Sequence, residues 1–284
     1  MSKKTRTPIP PLLSNKAYQQ PAVFTPENLL REARRQKQIR KGSVPQICVL
    51  DPDGDIVAYL LREKRAYPDP FWACYHTVLY RFEVSGINCG VIGCAVGGPY
   101  AVLLAEQLFV SGCQLLLSVT SAGQILPVRT PPYFVLIEKA LRDEGTSYHY
   151  LAPGKFARLN REVEAWLNPC LNAYSPAIER GASWTTDAPY RETAAAIAQA
   201  KADRILAVEM ESASLYAFAE KKRKPVICFA HITNRMAAVE GDFEKGESSG
   251  SVESLRLIGA VAEHWYENPL VGIHPKKYGS DAIS

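Results

Sequence analysis

The sequence predicts a single-domain α/β/α sandwich of three layers, and three observations carry the prediction. Short apolar runs of strand length alternate with helical segments, which is typical of α/β folds. Small and polar residues follow several of these runs directly, and α/β sheets bind ligands at the carboxyl ends of their strands. No long linker or internal repeat interrupts the pattern. We therefore predict one domain over residues 45–267, between an N-terminal arm (1–44) and a C-terminal tail (268–284).

Composition is that of a globular protein and argues against several functions. The 284 residues are 47% apolar and 22% charged, which suffices for a large core. The net charge of +4 is mild, and we find no nucleic-acid-binding module. No apolar run reaches the about 18 residues of a membrane span, and no apolar signal segment follows the charged start. We expect a cytoplasmic protein without nucleic-acid or membrane partners.

The seven cysteines favour buried, reduced thiols. Their number is odd, they include no Cys-x-x-Cys pair, and several lie in or beside apolar runs. A metal site or a disulfide frame would show paired or regularly spaced cysteines. We expect neither a metal ion nor an organic cofactor.

The arm and the first half of the domain are predicted in order as follows. Prolines at 8, 10, 11 and 21 disfavour early regular structure, and Thr25 is a suitable cap for a polar helix over 26–40. Strands are expected over 46–50, 77–84, 88–94 and 113–119, the middle two separated by a turn at Ser85-Gly86. The glycine-rich turn 93–100 should lead into an apolar helix over 101–110. Such a turn offers N–H groups to an anion or a sugar oxygen.

The second half is predicted from the same kind of signals. We expect an apolar segment over 133–140, a polar rim over 142–150, a helix over 156–174 and a loop over 181–193. Thr193 should cap a helix over 194–202. Strands follow over 205–208 and 224–232, with a helix from Met210, a mobile loop over 237–250 and a closing amphipathic helix over 251–267.

Two carboxylates, Glu209 and Glu211, stand where strand 205–208 meets the next helix. A carboxylate in this position can accept hydrogen bonds from two neighbouring sugar hydroxyls, and Met210 offers a soft apolar face to a ribose ring. Acidic residues are also common at helix starts, where they complement the helix dipole. The pattern alone leaves both interpretations open.

Five motifs together resemble the nucleoside phosphorylases of the uridine and hexameric purine type. They are Gly97-Gly98-Pro99, Thr120 to Gly123, Gly181 to Tyr190, Val208 to Ala213 and Thr233-Asn234-Arg235, in this order. The resemblance spans about residues 45–265. It implies a central mixed sheet that closes toward a barrel with helices around it. It also implies cleavage of a nucleoside's N-glycosidic bond, in a homodimer or larger homo-oligomer.

The resemblance implies site roles as well. Glu211 is expected to hold the 2′- and 3′-hydroxyls, with Met210 against the sugar. The residues expected to assist departure of the base are Arg235, Asn234 and Asp187. The residues expected to bind substrate are Glu211, Met210, Glu209, Thr120, Ser121, Gly123, Gly97, Gly98, Thr186, Arg191 and His76. Hydrogen-bond donors near the departing nucleobase, which gains negative charge, lower the activation barrier for cleavage of the glycosidic bond.

Three arginines that hold phosphate in this family have no counterpart at the expected positions. Gly54 stands in place of the first and Ser118 in place of the second. Tyr75-His76 aligns near the arginine that a neighbouring subunit donates. His76, Arg129 and Arg142 are candidate replacements, while Asp53 and Asp55 add negative charge beside Gly54.

Three functions remain open. The first is phosphorolysis of a nucleoside to ribose 1-phosphate and free base, with phosphate as co-substrate; Asn234-Arg235 slightly favours a pyrimidine. The second is hydrolysis, with Glu209, Asp51 or Asp187 as the base that activates water. The third is a non-catalytic nucleoside-binding or scaffold protein.

Overall fold

The computed structural model describes residues 9–14, 16–236, 240–243 and 245–270. Its strands are β1 (Ile47–Asp51), β2 (Ala66–Pro68), β3 (Tyr80–Val84), β4 (Ile87–Gly93), β5 (Leu115–Gln124), β6 (Tyr133–Asp143), β7 (Phe156–Arg158), β8 (Glu179–Thr186), β9 (Ile205–Glu209) and β10 (Val226–Asn234). Its α-helices are α1 (Pro26–Lys37), α2 (Asp55–Arg62), α3 (Gly98–Val110), α4 (Ser147–Tyr150), α5 (Arg161–Ala173), α6 (Ala194–Ala202), α7 (Ser212–Lys222) and α8 (Ser251–Glu267).

All ten strands belong to one mixed sheet, part of which is closed. The order is β10-β6-β8-β9-β5-β1-β4-β3-β2, with β7 beside β6, and β10 also pairs with β5. This extra pairing joins β5, β10, β6, β8 and β9 into a closed, five-stranded barrel. The predicted mixed sheet that closes toward a barrel is therefore confirmed.

Helices pack in two groups around the sheet. The first group comprises α3, α4 and α7, with α1 against α3; the second comprises α2, α5 and α8. One large core contains most of the buried apolar side chains, and five of the seven cysteines are buried, with Cys170 partly buried and Cys94 exposed. No helix in the described part of the chain combines the length and apolar character needed to cross a membrane.

Several elements follow closely from local sequence. Thr25 accepts a hydrogen bond from the Asn28 N–H at the start of α1, and Thr193 does the same for Ala196 at the start of α6. Ser85 and Gly86 both have positive φ, at 51° and 71°, which matches the two-residue turn of a β-hairpin. The predicted bounds of α6 and α8 agree with the structure.

Three predictions of local structure are wrong. Residues 156–158 form strand β7 beside β6, so the helix expected over 156–174 begins only at Arg161, after its cap Asn160. Residues 181–186 belong to β8 and not to a loop. Residues 120–123 continue β5 instead of following it. In each case, pairing with a neighbouring strand that is distant in sequence provides the backbone hydrogen bonds, and no local signal reports it.

Three predictions fall partly on residues that the structure does not describe. In the arm expected over 1–44, residues 1–8 and 15 lie outside the described residues. In the loop expected over 237–250, residues 237–239 and 244 lie outside the described residues, while 247–250 form a 3₁₀ turn. The tail from residue 271 onward also lies outside them.

Candidate active site

A cleft of about 490 Å³ opens where strands β1, β5, β9 and β10 end. Its size is within the range of small-molecule sites. Seven of the site residues predicted from sequence line it: Thr120, Ser121, Gly123, Glu209, Met210, Glu211 and Asn234. The remaining wall residues are Pro52, Asp53, Val96, Ala122, Pro189, Tyr190, Glu192, Val208, Met236 and Phe243. Strands far apart in sequence thus bring half of the fourteen predicted site residues into one cavity.

Glu211 lies at the inner end of the cleft and is only 1% exposed. Its Oε1 accepts a hydrogen bond of 2.7 Å from the Gly97 N–H, and its Oε2 accepts one of 3.1 Å from the Thr120 hydroxyl. The Met210 N–H donates to Oε2 at 3.3 Å. Burial, followed by the nearby Glu209 carboxylate, raises the pKa of Glu211 to about 8. Above this pKa, Glu211 is a carboxylate fixed on both oxygens, which is suited to hold a pair of vicinal hydroxyls.

Glu209 is buried as well, but its oxygens are occupied by the protein. Its Oε1 accepts from the hydroxyls of Ser183 and Thr185, and its Oε2 accepts from the N–H groups of Glu211 and Ser212, both at 2.7 Å. The β8–β9 register places Thr185 directly opposite Glu209. Glu209 therefore joins β8 to the first turn of α7 and so positions the Glu211 backbone.

The glycine turn brings α3 close to α7. Gly97 has a φ of 87°, in the region that favours glycine, and its N–H points to Glu211. A Cβ on Gly98 would lie 2.9 Å from Ser214 Cβ, closer than real Cβ atoms come. Glycine at positions 97 and 98 therefore allows the Gly97 N–H to reach the Glu211 carboxylate.

Asn234 and Met236 form the wall of the cleft next to β5. A Cβ on Gly123 would lie 2.6 Å from Met236 Sδ and 3.4 Å from Asn234 Oδ1. Asn234 is 7% exposed; its amide donates to Thr233 Oγ1 at 3.1 Å, and its Oδ1 accepts from the Met236 N–H at 2.9 Å. The amide is thereby held at a fixed orientation beside the cavity.

Several predicted site residues lie at the rim of the cleft or outside it. Thr186 is buried and accepts from the Ala188 N–H, while Asp187 accepts from the Gly145 N–H at 2.8 Å. Arg191 is exposed in a short 3₁₀ turn whose neighbours Tyr190 and Glu192 line the cleft.

Arg235 and His76 are also exposed in this single chain. Arg235 follows β10, and its N–H donates to Asp242. His76 lies before β3, and its carbonyl accepts from the Tyr100 hydroxyl at 3.3 Å. Neither side chain is part of the cleft wall formed by the described residues.

The expected phosphate side of the cleft is acidic. Asp53 lines the wall, and its Oδ2 accepts a 2.9 Å hydrogen bond from the Ser121 N–H. Lys245 Nζ lies 2.5 Å from Asp55 Oδ2 and 3.6 Å from Asp53 Oδ1. Burial alone would lower the pKa of Lys245, but the hydrogen bond to Asp55 and the charge of Asp53 raise it. The Ser121 N–H, which faces this part of the cavity, is therefore already hydrogen-bonded to the Asp53 carboxylate.

Gly54 and Asp51 have structural roles behind this wall. Gly54 adopts a φ of 81° before α2, and a Cβ there would lie 2.8 Å from Cys94 Sγ. Asp51 accepts from the N–H groups of Gly54 and Val57, at 3.2 and 3.0 Å, and so holds the first turn of α2. Burial raises the pKa of Asp51 to about 7.

Two proposed replacements for the phosphate arginines are bound elsewhere. Arg142 is buried, and its guanidinium donates to Ser147 Oγ and to the carbonyls of Ala152 and Leu151. Arg129 donates to the Ala177 carbonyl and lies 3.7 Å from Glu179. Neither one belongs to the described wall of the cleft. Within the described residues, no group of three His, Cys, Asp or Glu side chains is arranged to hold a metal ion.

The barrel, the glycine turn and the buried Glu211 define a protein of the nucleoside phosphorylase class. The profile of the Phosphorylase superfamily matches residues 46–262. This chain belongs to that superfamily.

Solved structures share the fold. A uridine phosphorylase of Vibrio fischeri, complexed with 6-hydroxy-1-naphthoic acid, aligns with a TM-score of 0.68 at 17% identity and covers 82% of this chain and 99% of that chain. Another structure of uridine phosphorylase from Vibrio fischeri aligns with a TM-score of 0.62 at 16% identity, over 78% of this chain and 91% of that one.

A viral protein is similar in sequence over a shorter stretch. An uncharacterized protein of Acanthamoeba polyphaga mimivirus is 33% identical over 125 residues, which are 44% of this chain and 47% of that protein. The match thus spans about half the length of that curated relative.

Sequence reasoning did not assign several wall residues to the site. Asp53 was noted only as negative charge, although it follows β1 at its carboxyl end, which is the signal that places ligand-binding residues. Tyr190 ends the Gly181 to Tyr190 motif and Glu192 follows it closely, but the sequence assigns neither of them a role in the site. Met236 and Phe243 follow β10 and line the cleft, but no motif in the sequence around them indicates a binding site.

Proposed function

We propose that this protein cleaves the N-glycosidic bond of a nucleoside whose ribose is held by Glu211. The observation that carries the proposal is the buried Glu211 carboxylate, fixed by Gly97 and Thr120 at the inner end of the cleft. Two oxygens of one carboxylate match two adjacent ribose hydroxyls. Holding these hydroxyls orients C1′ for attack and favours an oxocarbenium-like transition state.

Water is the nucleophile that the charges of the site favour. A phosphate dianion needs fixed cations, whereas the described wall of the cleft contains Asp53, Glu192, Glu209 and Glu211 and no Arg or Lys. The Asp53 side chain is 33% exposed, so it can contact water in the cleft. In this proposal, Asp53 takes the proton of a water that attacks C1′, and the products are free base and ribose.

Phosphorolysis to ribose 1-phosphate is the second candidate. It is favoured by membership of the Phosphorylase superfamily and by Lys245, whose Nζ lies 3.6 Å from Asp53. Lys245 could bind phosphate only if its contacts with Asp53 and Asp55 were exchanged for phosphate oxygens. A phosphate dianion would also need a further cation, which the described wall of the cleft does not contain.

Asn234 supports a pyrimidine slightly over a purine. It resembles the Asn of uridine phosphorylases, and its amide is fixed beside the cavity. We further propose a homodimer or larger homo-oligomer. Four exposed apolar side chains lie close in sequence to His76 or to Tyr100, whose hydroxyl donates to the His76 carbonyl, and exposed apolar surface is typical of an interaction site: Tyr75, Val78, Val96 and Leu103.

The proposal is tested by base release from a panel of purine and pyrimidine nucleosides. Asp53→Asn should lower kcat about 100-fold or more, the effect of losing a general base. The matched control is Asp55→Asn, which removes an equal charge beside Lys245 but does not line the cleft, and it should retain most activity. Equal losses in both variants would exclude Asp53 as the base. Nucleoside binding without any base release would establish the non-catalytic alternative.

A further inference from the structure

A strongly basic groove lies outside the active-site cleft, between the arm and the end of α3. It has a volume of about 760 Å³, which is larger than the about 490 Å³ of the cleft. Its cationic lining residues are Arg31, Arg34, Arg35, Arg40 and Lys41. Among the described residues that line it, none is acidic. The nearest ion-pair partner is Glu32, which contacts Arg31 and Arg35.

The groove is formed mainly by residues of the arm, which lie outside the region that the superfamily profile matches. The superfamily match begins at residue 46, so all of its lining residues except Val110 precede the matched region. Helix α1 packs against α3 through Leu30 and Ala33, together with Ala73 and the partly buried Ile39 and Val110. The groove is therefore formed by an ordered, packed element and has an apolar floor.

Arg34 has a donor that no described group satisfies. Its Nη2 donates to Ser111 Oγ at 3.4 Å, but its Nε is buried without a hydrogen-bond partner among the described residues. Leaving a buried donor of a charged group unsatisfied is costly. Because this atom has no accessible surface, an anion in the groove would satisfy it only after the Arg34 side chain turned toward the groove that it lines.

The helix dipole explains only part of the charge. Arg34 and Arg35 lie in the last turn of α1, where cations complement the negative end of the helix. Arg31 precedes that turn, and Arg40 and Lys41 follow the helix. These three are not required by the dipole, and they concentrate positive charge on the same groove.

We propose that this groove binds a small ligand with more than one phosphate group. Arginine forks match phosphate oxygens in pairs, and several cations around one cavity suit several phosphates. The apolar floor of Ile39 and Val110 would be covered by a planar or apolar part of the ligand, as in a nucleotide. A site of this volume suits such a molecule. Val110 lies at the end of α3, about 18 Å along the helix from Gly98 at a rise of about 1.5 Å per residue, so the groove and the glycine turn beside the cleft lie at opposite ends of this helix.

The test is calorimetric titration of the full chain with tripolyphosphate, which has no nucleoside part. We expect binding that weakens with salt and that falls at least tenfold in Arg34→Gln. Because Arg34 also contacts Ser111, a second variant uses only exposed positions: the double substitution Arg31→Gln with Arg40→Gln should have the same effect. Adenosine triphosphate should bind more tightly than tripolyphosphate, since its base can cover the floor.

Two control variants locate the site. Arg62→Gln removes an exposed arginine that is paired with Glu63, as Arg31 is paired with Glu32, and should leave binding unchanged. Lys245→Gln removes the cation beside the cleft and should also leave it unchanged. The proposal is overturned if tripolyphosphate does not bind, or if Arg62→Gln weakens binding equally. Loss in Lys245→Gln but not in Arg34→Gln would also overturn it, as would binding of a single-stranded oligonucleotide without tripolyphosphate binding. None of these readouts depends on nucleoside cleavage.

Discussion

Glu209 and Glu211 are two positions apart in the chain but contact different groups. Glu209 accepts four hydrogen bonds from the protein, from β8 and from the start of α7. Glu211 is fixed by Gly97, Thr120 and Met210 and lines the cleft. We therefore expect Glu209 to stabilise the fold and Glu211 to stabilise the transition state.

Substitution separates the two roles. Glu211→Gln should cost about 2–4 kcal/mol of transition-state stabilisation, or about 30- to 1,000-fold in kcat/KM, with little change in the free energy of unfolding. Glu209→Ala leaves buried N–H and hydroxyl donors without an acceptor and should lower the free energy of unfolding by about 2–4 kcal/mol. Steady-state kinetics and urea unfolding measure both quantities. Glu220→Gln, at an exposed position of α7, is the control. Unchanged turnover in Glu211→Gln would remove this residue from the site.

Asp51 makes stability depend on pH. Burial raises its pKa to about 7 from an ordinary value of 3.8, although the Val57 and Gly54 N–H groups lower it in part. The folded protein therefore binds more protons than the unfolded chain between about pH 4 and 7, and the free energy of unfolding falls as pH rises through this window. Asp51→Asn removes this ionisation. As pH rises from 4 to 8, the free energy of unfolding of Asp51→Asn should increase by up to about 4 kcal/mol relative to that of the wild type.

Urea unfolding of both proteins across this pH range measures the difference. Asp203→Asn is the control, because its hydrogen bond to Lys155 lowers the pKa of Asp203, the opposite direction. Parallel stability curves for wild type and Asp51→Asn would mean that Asp51 titrates normally in the folded state.

At the scale of elements, the contact between α3 and α7 sets the geometry of the sugar site. A Cβ on Gly98 would lie 2.9 Å from Ser214 Cβ, so Gly98→Ala forces the two helices apart. We expect a loss of about 1–3 kcal/mol in the free energy of unfolding and a weaker Gly97–Glu211 hydrogen bond, seen as a lower kcat/KM.

A double-mutant cycle tests this contact. Ser214→Gly should restore part of the stability in the Gly98→Ala background, although glycine within a helix has its own cost. Gly145→Ala is a matched control, because the nearest atom to its Cβ would be Asp187 Oδ2 at an ordinary 3.7 Å. A loss as large in Gly145→Ala, or no recovery in the double variant, would contradict steric conflict at Gly98.

Elements with strong local signals were predictable from sequence, and those decided by distant pairing were not. Thr193 before an Ala-rich segment predicts α6 because the cap and the helix propensity agree. Residues 181–186 combine Gly, Ser and Thr with Trp and carry no strand pattern, yet pairing with β6 and β9 makes them strand β8. For the same reason, the sequence indicated Glu211 as a ligand but did not indicate that Glu209 is engaged by Ser183 and Thr185.

At the scale of the molecule, barrel closure brings the cleft together. The β10–β5 pairing places Asn234 next to Gly123, and the β5–β9 pairing places Val208 opposite Gly123. Residues from three strands thus meet at one cavity. The acidic side of that cavity also depends on the tertiary fold, because Asp53 reaches the Ser121 N–H from the loop after β1.

The source of the oxygen added to C1′ is the measurement that tests the account most directly. Base release from a nucleoside panel should be run in ¹⁸O-labelled water, with and without phosphate, and the sugar product analysed by mass spectrometry. We predict release without phosphate and free ribose that carries one ¹⁸O atom. Release that requires phosphate and yields unlabelled ribose 1-phosphate would contradict water as the nucleophile, and absence of release from every nucleoside would contradict glycosidic cleavage itself.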